Sequence, residues 1–372
     1  MEERNQPMDY YMPARLHSGE NCIEQHANRL LALGSSCLVV VDKTSAVASG
    51  ALDDVANALC ANDIQSMVWD GVTPNPPIVS CVEAGRLAAS HQMQFILGVG
   101  GGSALDAAKA IAVFAANPEL DEAGFYAFKW EEEPLPIALV GTTAGTGSEV
   151  TKVAVLTDSA ARKHSIHDDR LYAAVAFGDS RYTHTCPPAV TLSCGVDVIA
   201  HATESYISHK ADQISRAFAV RAIRLAWEPL SAAADGKELD PAQRRDLYEA
   251  SILGGLAINT TGTCFPHNVG YYLTENYGVA HGFASAAFLP AMLACVRAYD
   301  APYANAFYAE IGASEDEFVQ LVTSCLPTLD ISLTTEQIDA ALPRWENNGS
   351  VNNTRATVST EDIRETLIAM FA

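Results

Sequence analysis

Four residues in the second half of the chain have the types and spacing of a divalent-metal site. Asp197 and His201 stand four positions apart in VDVIAH, so on a helix both project from one face. Taken alone this pair is also typical of a helix surface, but His267 and His281 follow within one polar, aromatic stretch. One carboxylate and three neutral imidazoles suit Fe²⁺ or Zn²⁺. Glu204, three positions after His201, is a competing ligand.

The two later histidines reach one ion only if the chain reverses between them. A straight helix would separate them by roughly 21 Å, whereas ligands lie roughly 2 Å from a shared ion. Pro266 favours the first turn of a helix that starts near His267, and Gly278 favours its end. The sequence therefore predicts a helix and a glycine reversal. Gly282 either provides room for a substrate or cofactor or simply begins the next helix.

Two glycine-rich loops in the first half of the chain each follow an apolar strand. In GVGGGSALDAAK, Gly100, Gly101 and Gly102 precede an alanine-rich helix that Ser103 and Asp106 can cap. Free N–H groups and the positive end of the helix dipole favour a pyrophosphate there. An ordinary tight turn from strand to helix is the alternative.

The second loop, GTTAGTGSEVT, offers the hydroxyls of Thr142, Thr143 and Thr146. Ligands of parallel sheets lie beyond the carboxyl ends of the strands, so the two loops are expected to converge. Asp42 ends another strand, where a carboxylate accepts hydrogen bonds from a ribose and repels a 2′-phosphate. The pattern favours NAD(H) over NADP(H), although Asp42 precedes the glycines instead of following them.

The elements that would position these residues change character near Pro188. Before it, strand-like and helix-like segments alternate, which predicts a parallel, Rossmann-like α/β domain that binds a dinucleotide, over residues 1–185. After it, apolar residues recur at three- and four-residue spacing, which predicts an all-α domain over residues 186–372. Two domains also suit a chain of 372 residues.

Composition excludes several classes of partner. The formal net charge of −22 argues against nucleic acid and against an anionic membrane surface. We expect no transmembrane helix, because no apolar run reaches about 18 residues, and no signal peptide. The nine cysteines are scattered without a C-x-x-C pair, which indicates reduced thiols and a cytoplasmic protein. The segment ARKHSIHDDR is expected to form a polar, exposed loop.

In their order and spacing, the motifs resemble those of the iron-containing (group III) alcohol dehydrogenase family. The resemblance covers almost the whole chain, from YYMPARLHSG through GGGSALDAAK, GTTAGTGSEVT and DVIAHATES to GVAHG. It implies a homodimer, and it implies that the metal ligands are Asp197, His201, His267 and His281. For the cofactor it implies Asp42, Gly100, Gly101, Gly102, Ser103, Asp106, Thr142, Thr143, Thr146 and Lys163, the last in a loop of different length.

One departure from the family pattern concerns the proton route. Many members carry a second histidine four residues after the third ligand, and here that place is Tyr271. A phenol with an unperturbed pKa of about 10 is a poor base at neutral pH. A catalytic hydroxyl and an aromatic wall of the substrate site are therefore both open.

The resemblance implies a metal-dependent oxidoreductase that interconverts a small primary alcohol and its aldehyde with NAD(P)(H). Lys152 is either a contact for an anionic substrate tail or a surface residue. Two alternatives are a dehydroquinate-synthase-like lyase, which uses the nicotinamide transiently, and an inactive metal- or nucleotide-binding homologue. The lyase would be expected to need several basic residues near its phosphorylated substrate, and few basic residues, Lys152 and Lys163 among them, lie near the motifs.

Overall fold

The computed structural model describes Met8 and Tyr10–Ala372, and the chain divides into two compact units. The α/β unit is Met12–Pro187. The helical unit is Pro188–Ala372 with the described residues of the Met1–Tyr11 segment. In the helical unit the ring of Tyr10 lies 5.7 Å from that of Phe218, measured between centroids.

The α/β unit is built on a parallel sheet. Its strands are β1 (Arg15–Ser18), β2 (Ser36–Asp42), β3 (Gln65–Val72), β4 (Phe95–Gly100), β5 (Ile137–Gly141), β6 (Val153–Thr157), β7 (Lys163–His167) and β8 (Val175–Gly178). Within the described residues, six of them pair in parallel in the order β1-β8-β5-β4-β2-β3, while β6 and β7 form an antiparallel pair. Its helices are α1 (Cys22–Gln25), α2 (Asn28–Leu31), α3 (Ser45–Ala48), α4 (Ala51–Ala61), α5 (Ile78–Ser90), α6 (Gly102–Ala116) and α7 (Glu122–Tyr126).

Both faces of this sheet are covered, which explains why its central strands are continuous apolar runs. Alternate residues of β2 enter opposite cores because side chains alternate along a strand. Leu38 and Val40 pack with α5 and α6, whereas Val39 and Val41 pack with α4. The predicted parallel α/β architecture is confirmed.

The helical unit is arranged around one buried helix. Its helices are α8 (Pro188–Ile207), α9 (Gln213–Ala234), α10 (Pro241–Thr261), α11 (Phe265–Tyr277), α12 (His281–Ala286), α13 (Leu289–Tyr299), α14 (Ala301–Ile311), α15 (Glu315–Cys325), α16 (Thr335–Ala341), α17 (Gly349–Asn352) and α18 (Thr360–Phe371). Every residue of α8 from Gly195 to Ile207 is buried, and the helix packs against α9, α10 and α12. Polar side chains on this stretch of α8 therefore need partners inside the protein.

Among the described residues, the segment His281–Tyr299 is long and apolar enough to span a membrane, with a mean hydropathy of 1.3. This differs from the expectation that no apolar run is long enough for a transmembrane helix. In the fold it consists of α12 followed by α13, and 61% of its apolar window is buried. Such burial is typical of a core helix pair, so the segment is weak evidence for a membrane span.

Two local predictions are wrong. Ser103 does not cap α6, because the helix begins two residues earlier than predicted and its N-cap is Gly101. The Oγ atom of Ser103 instead accepts a hydrogen bond from the backbone N–H of Asn75 at 3.3 Å. The polar segment expected to be a loop contains strand β7, because pairing with β6 satisfies its backbone whatever the polarity of its side chains.

Candidate metal centre and cofactor loops

Three helices of the helical unit bring the predicted metal ligands together. Asp197 and His201 lie one turn apart on α8, His267 lies in the first turn of α11, and His281 is the first residue of α12. Helix α11 ends at Gly278, whose φ of 67° lies in the left-handed region that glycine adopts without strain. The predicted helix and glycine reversal are thus confirmed. We call Asp197, His201, His267 and His281 the metal centre.

The donor atoms of Asp197, His267 and His281 lie close enough to share one ion, and His201 faces the other carboxylate oxygen of Asp197. Oδ1 of Asp197 is 3.4 Å from Nε2 of His267 and 3.9 Å from Nε2 of His281, and one donor atom from each lies within 4.8 Å of the others. Oδ2 of Asp197 lies 4.0 Å from Nε2 of His201. Ligands held about 2 Å from a tetrahedral ion are about 3.3 Å apart, so these separations fit one divalent cation.

Burial supports the same conclusion. Asp197 is 2% exposed and His267 is 1% exposed. Oδ1 of Asp197 and Nε2 of His267 are buried without a hydrogen bond of acceptable geometry, although they face each other. Burial would raise the pKa of Asp197, but the imidazoles of His201, His281 and His267 hold that pKa well below its ordinary range. The carboxylate is therefore ionised, and a cation fits between these atoms.

Glu204 orients one of the imidazoles, and the structure does not support it as a competing ligand. Its fully buried carboxylate accepts from Nδ1 of His267 at 2.5 Å through Oε1 and from the backbone N–H of Cys264 at 2.6 Å through Oε2. Burial would lower the pKa of His267, but the carboxylates of Glu204 and Asp197 raise that pKa to about 10. Without a metal both ring nitrogens of His267 are therefore protonated at neutral pH. A cation bound at Nε2 would displace the proton there and leave the Nδ1 proton on Glu204, the usual arrangement of a metal-binding histidine.

Two glycines allow the helices to approach closely enough to build the metal centre. A Cβ at Gly282 would lie 1.9 Å from the carbonyl oxygen of Ser193 on α8. A Cβ at Gly270 on α11 would lie 2.8 Å from the backbone of Ala284 on α12. Of the two readings of Gly282, the structure supports a residue within the start of α12 whose free space is filled by α8.

Tyr271 lies one turn after His267 on α11 and is half-buried. Its ring stacks on that of His281, with centroids 5.5 Å apart and an interplanar angle of 29°. The aromatic contact is therefore part of the metal centre's surroundings. A proton-transfer role for the phenol stays a prediction.

In the α/β unit the two glycine-rich loops meet at the ends of adjacent strands. Gly100 of β4 pairs with Gly141 of β5, and the N–H of Thr142 donates to the carbonyl of Gly100 at 2.9 Å. The φ of Gly100 is 151°, which favours glycine. The expected convergence of the loops is confirmed.

The next two glycines make that convergence possible. A Cβ at Gly101 would lie 3.1 Å from Cγ2 of Thr143, and a Cβ at Gly102 would lie 2.6 Å from Cγ2 of Thr146. The second loop thus occupies the space that their side chains would fill. The N-cap residue Gly101 has no side chain to cap the first turn of α6, so the N–H groups there suit an anion such as a pyrophosphate.

Asp42 lies beside the first of these loops. Its Oδ1 accepts from the backbone N–H groups of Thr44 and Ser45 at 2.9 and 2.5 Å. Burial would raise the pKa of Asp42, but the hydrogen bonds from Ser45 and Thr44 lower that pKa overall. A Cβ at Gly100 would lie 3.2 Å from Oδ2 of Asp42, so an ionised carboxylate adjoins the loop. Its contact with a ribose stays a prediction.

Three other residues singled out in the sequence, Lys163, Lys152 and Asp106, also lie in the α/β unit. Lys163 begins β7, and Lys152 forms an ion pair with Asp169 at 2.7 Å. Asp106 connects α6 to the second loop and to β6, and its contact with a cofactor stays a prediction. Sequence reasoning missed Lys109, which is fully buried next to Asp106. The signal was available, since the two residues are three apart on an otherwise apolar helix.

Comparisons with known proteins cover most of the chain. Residues 13–180 match the family model for iron-containing alcohol dehydrogenase, and residues 191–314 match that for the C-terminal part of the Fe-containing alcohol dehydrogenase family. Long-chain-alcohol dehydrogenase 1 of Geobacillus thermodenitrificans is 34% identical over 291 residues, which are 77% of this chain and 72% of that protein. For 1,3-propanediol dehydrogenase of Klebsiella pneumoniae the identity is 35% over 287 residues, 76% and 73% of the two chains. The crystal structure of an iron-containing alcohol dehydrogenase from Thermotoga maritima matches with a TM-score of 0.90 at 30% identity and covers 98% of this chain and 99% of that one.

The contact between Glu204 and His267 predicts that removing the charge of Glu204 weakens metal binding. Glu204→Gln keeps an acceptor for the N–H of Cys264 but removes the charge that holds the Nδ1 proton of His267. We expect the affinity for Zn²⁺ to fall about 10- to 100-fold, as for other residues that orient a ligand. Competition with a chromogenic chelator measures it. Glu249→Gln, at an exposed position on α10, is the control, and unchanged affinity in Glu204→Gln would contradict the prediction.

The close approach of α12 to α8 predicts the effect of one methyl group. Gly282→Ala should destabilise the fold by about 1–3 kcal/mol and displace His281, because the new Cβ would meet the backbone of α8. Thermal unfolding and Zn²⁺ titration should both show the change. In Gly254→Ala, the new Cβ would have only ordinary contacts, the nearest at 3.5 Å from Val198. Equal metal binding by both variants would refute the packing argument.

Proposed function

The chain belongs to the iron-containing alcohol dehydrogenase family, and on that premise we propose that its metal centre binds one divalent cation and its two glycine-rich loops bind NAD(H). Membership makes it a metal-dependent alcohol oxidoreductase. The observation that carries the assignment of residues is the cluster of buried donor atoms around Asp197, 3.4 to 4.0 Å from the three imidazoles. The relatives are alcohol and propanediol dehydrogenases, so the lyase and the inactive homologue gain no support.

When bound, the cation would polarise an alcohol or carbonyl oxygen as a Lewis acid, and the nicotinamide would accept or supply a hydride. The protein's own contribution is to hold the centre rigid. Asp197 supplies the negative charge, and Glu204 keeps His267 in one orientation. The side chain of His281 is 26% exposed, compared with 2% for His267 and 4% for Asp197. We propose that substrate approaches on the His281 side, next to Tyr271.

The finer identities follow from the chemistry of the donors. An Asp and three His suit Fe²⁺ or Zn²⁺. The ionised carboxylate of Asp42 beside Gly100 supports NAD(H) over NADP(H), since it would repel a 2′-phosphate. For the substrate we propose a small primary alcohol and its aldehyde. An anionic tail would require Lys152 to exchange its ion pair with Asp169 for the substrate.

Location and assembly complete the proposal. All nine cysteines are free thiols, which is consistent with a reducing, cytoplasmic environment. We propose a homodimer, as the family resemblance implies, and light scattering coupled to gel filtration measures the assembly directly.

Replacing the central carboxylate tests the metal assignment. Asp197→Ala should lose metal binding and at least about 10³-fold of turnover, because a buried ligand that also balances the imidazoles is removed. NADH formation and consumption should be followed with short neutral and anionic alcohols and aldehydes, after loading with Fe²⁺ or with Zn²⁺ and with NADP(H) in parallel. His209→Ala, at an exposed position of the helical unit, should behave as the wild type. Persistent turnover of Asp197→Ala with added metal would show that the assignment is wrong.

Tyr271 has two predicted roles, which conservative replacement separates. Because its ring stacks on His281, we propose that it forms an aromatic wall of the substrate site. Tyr271→Phe should then keep kcat within about twofold, whereas Tyr271→Ala should raise KM about tenfold through lost apolar contact. A loss of about 100-fold in kcat for Tyr271→Phe, with an altered pH profile, would instead assign proton transfer to the phenol.

A further inference from the structure

A fully buried lysine connects helix α6 to the end of the second glycine-rich loop. The Nζ atom of Lys109 donates to the carbonyl oxygens of Ser148 and Val153 at 2.9 and 2.7 Å. The hydroxyls of Ser148 and Thr151 lie 2.7 and 3.2 Å from the same atom. One ammonium group thus contacts the 3₁₀ turn at Ser148–Val150 and the first residue of β6.

Charge balance explains how an ammonium is kept in this position. Oδ1 of Asp106 lies 3.7 Å from Nζ of Lys109 and accepts from the hydroxyl of Ser148 at 2.6 Å. Burial lowers the pKa of Lys109 to about 8, and the carboxylates of Asp106 and Glu149 act in the opposite direction. The group therefore stays mainly protonated at neutral pH. A methionine would fill the same space without the cost of burying a charge, but it could not donate hydrogen bonds to the surrounding oxygens. The ammonium therefore contributes through the hydrogen bonds that it donates.

The contacts continue from this lysine to the first glycine-rich loop. The backbone N–H of Ser148 donates to Oγ1 of Thr146 at 3.3 Å. The side chain of Thr146 in turn occupies the space next to Gly102, where a Cβ would be 2.6 Å away. The other end of the second loop is held by the hydrogen bond from Thr142 to Gly100. Lys109 therefore secures the end of the loop that the sheet does not.

We propose that Lys109 is a positioning residue that holds the second loop in its cofactor-binding conformation through Ser148 and Thr146. A loop ordered before the ligand arrives loses less conformational entropy on binding, so the lysine raises the affinity for NAD(H) without touching it. The role in affinity rests on the proposed cofactor function. The ordering of the loop does not, and it can be measured on the cofactor-free protein.

The first experiment compares two variants of the same helix. Lys109→Met removes the ammonium, whereas Val113→Ala removes apolar contacts from a fully buried position one turn further along α6. Hydrogen exchange of residues 142–151 without cofactor should accelerate about tenfold in Lys109→Met and remain unchanged in Val113→Ala. A tenfold acceleration corresponds to a loss of about 1.4 kcal/mol, which is within reach of a lost hydrogen bond to a charged group.

The second experiment measures function in the metal-loaded protein. In Lys109→Met the dissociation constant and the KM for NADH should rise about tenfold, while kcat at saturating NADH stays within about twofold. Thr151→Val and Ser148→Ala each remove one acceptor of the ammonium and keep Lys109, so they remain informative if Lys109→Met does not fold. They should show the same direction of change, at about two- to fivefold.

The outcomes distinguish the positioning role of Lys109 from the proposed binding of NAD(H). Unchanged loop exchange in Lys109→Met, or in Thr151→Val and Ser148→Ala if Lys109→Met fails to fold, would overturn the positioning role. Equal acceleration in Val113→Ala would also overturn it, because general destabilisation would then explain the effect. Absence of NADH binding by the wild type would contradict the cofactor assignment and leave the exchange result standing. Accelerated exchange with an unchanged KM for NADH would overturn the link between loop order and affinity.

Discussion

The ionised carboxylate of Asp197, buried on α8, is the constraint on which the rest of the helical unit depends. A charge in this position is unfavourable unless opposite charge and hydrogen-bond donors reach it. Three imidazoles do so from α8, α11 and α12, and the donor atoms of Asp197, His267 and His281 lie close enough to share one divalent cation. The helices can come this close only because Gly282 and Gly270 have no side chains. The metal centre is therefore as much a packing arrangement as a set of ligands.

A similar combination of buried charge and close backbone approach recurs in the α/β unit. There Gly101 and Gly102 leave room for two threonines of the neighbouring loop, so these glycines serve the contact between the loops as well as any ligand. The buried ammonium of Lys109 then holds the far end of that loop. In each unit, residues beyond the ligand-binding positions orient the binding groups: Glu204 orients His267, and Lys109 orients the second loop. Substitutions at such residues should change affinity before they change the chemistry.

Much of the fold could be predicted from local signals. A parallel strand covered on both faces must be apolar throughout, so β2, β4 and β5 were recognisable as short apolar runs. Helix α11 could be placed because Pro266 and Gly278 have backbone preferences that act within a single turn. The same local reasoning failed for Ser103, because α6 starts two residues earlier than the capping pattern implied. Local reasoning also failed for β7, because a strand is stabilised by hydrogen bonds to a neighbouring strand. The polar side chains of β7 do not reveal that pairing.

The sequence by itself determined which residue types were available for metal and dinucleotide chemistry, and where the chain had to turn to bring His267 and His281 together. Both are local properties, expressed in helical spacing and in the conformational preferences of proline and glycine. Only the tertiary structure decided that Glu204 supports a ligand instead of being one, that Gly282 is filled by α8, and that Lys109 holds a loop 39 residues further along the chain. These roles depend on distances between residues that are far apart in sequence. Such distances are set by the packing of whole helices and strands, which no short motif contains.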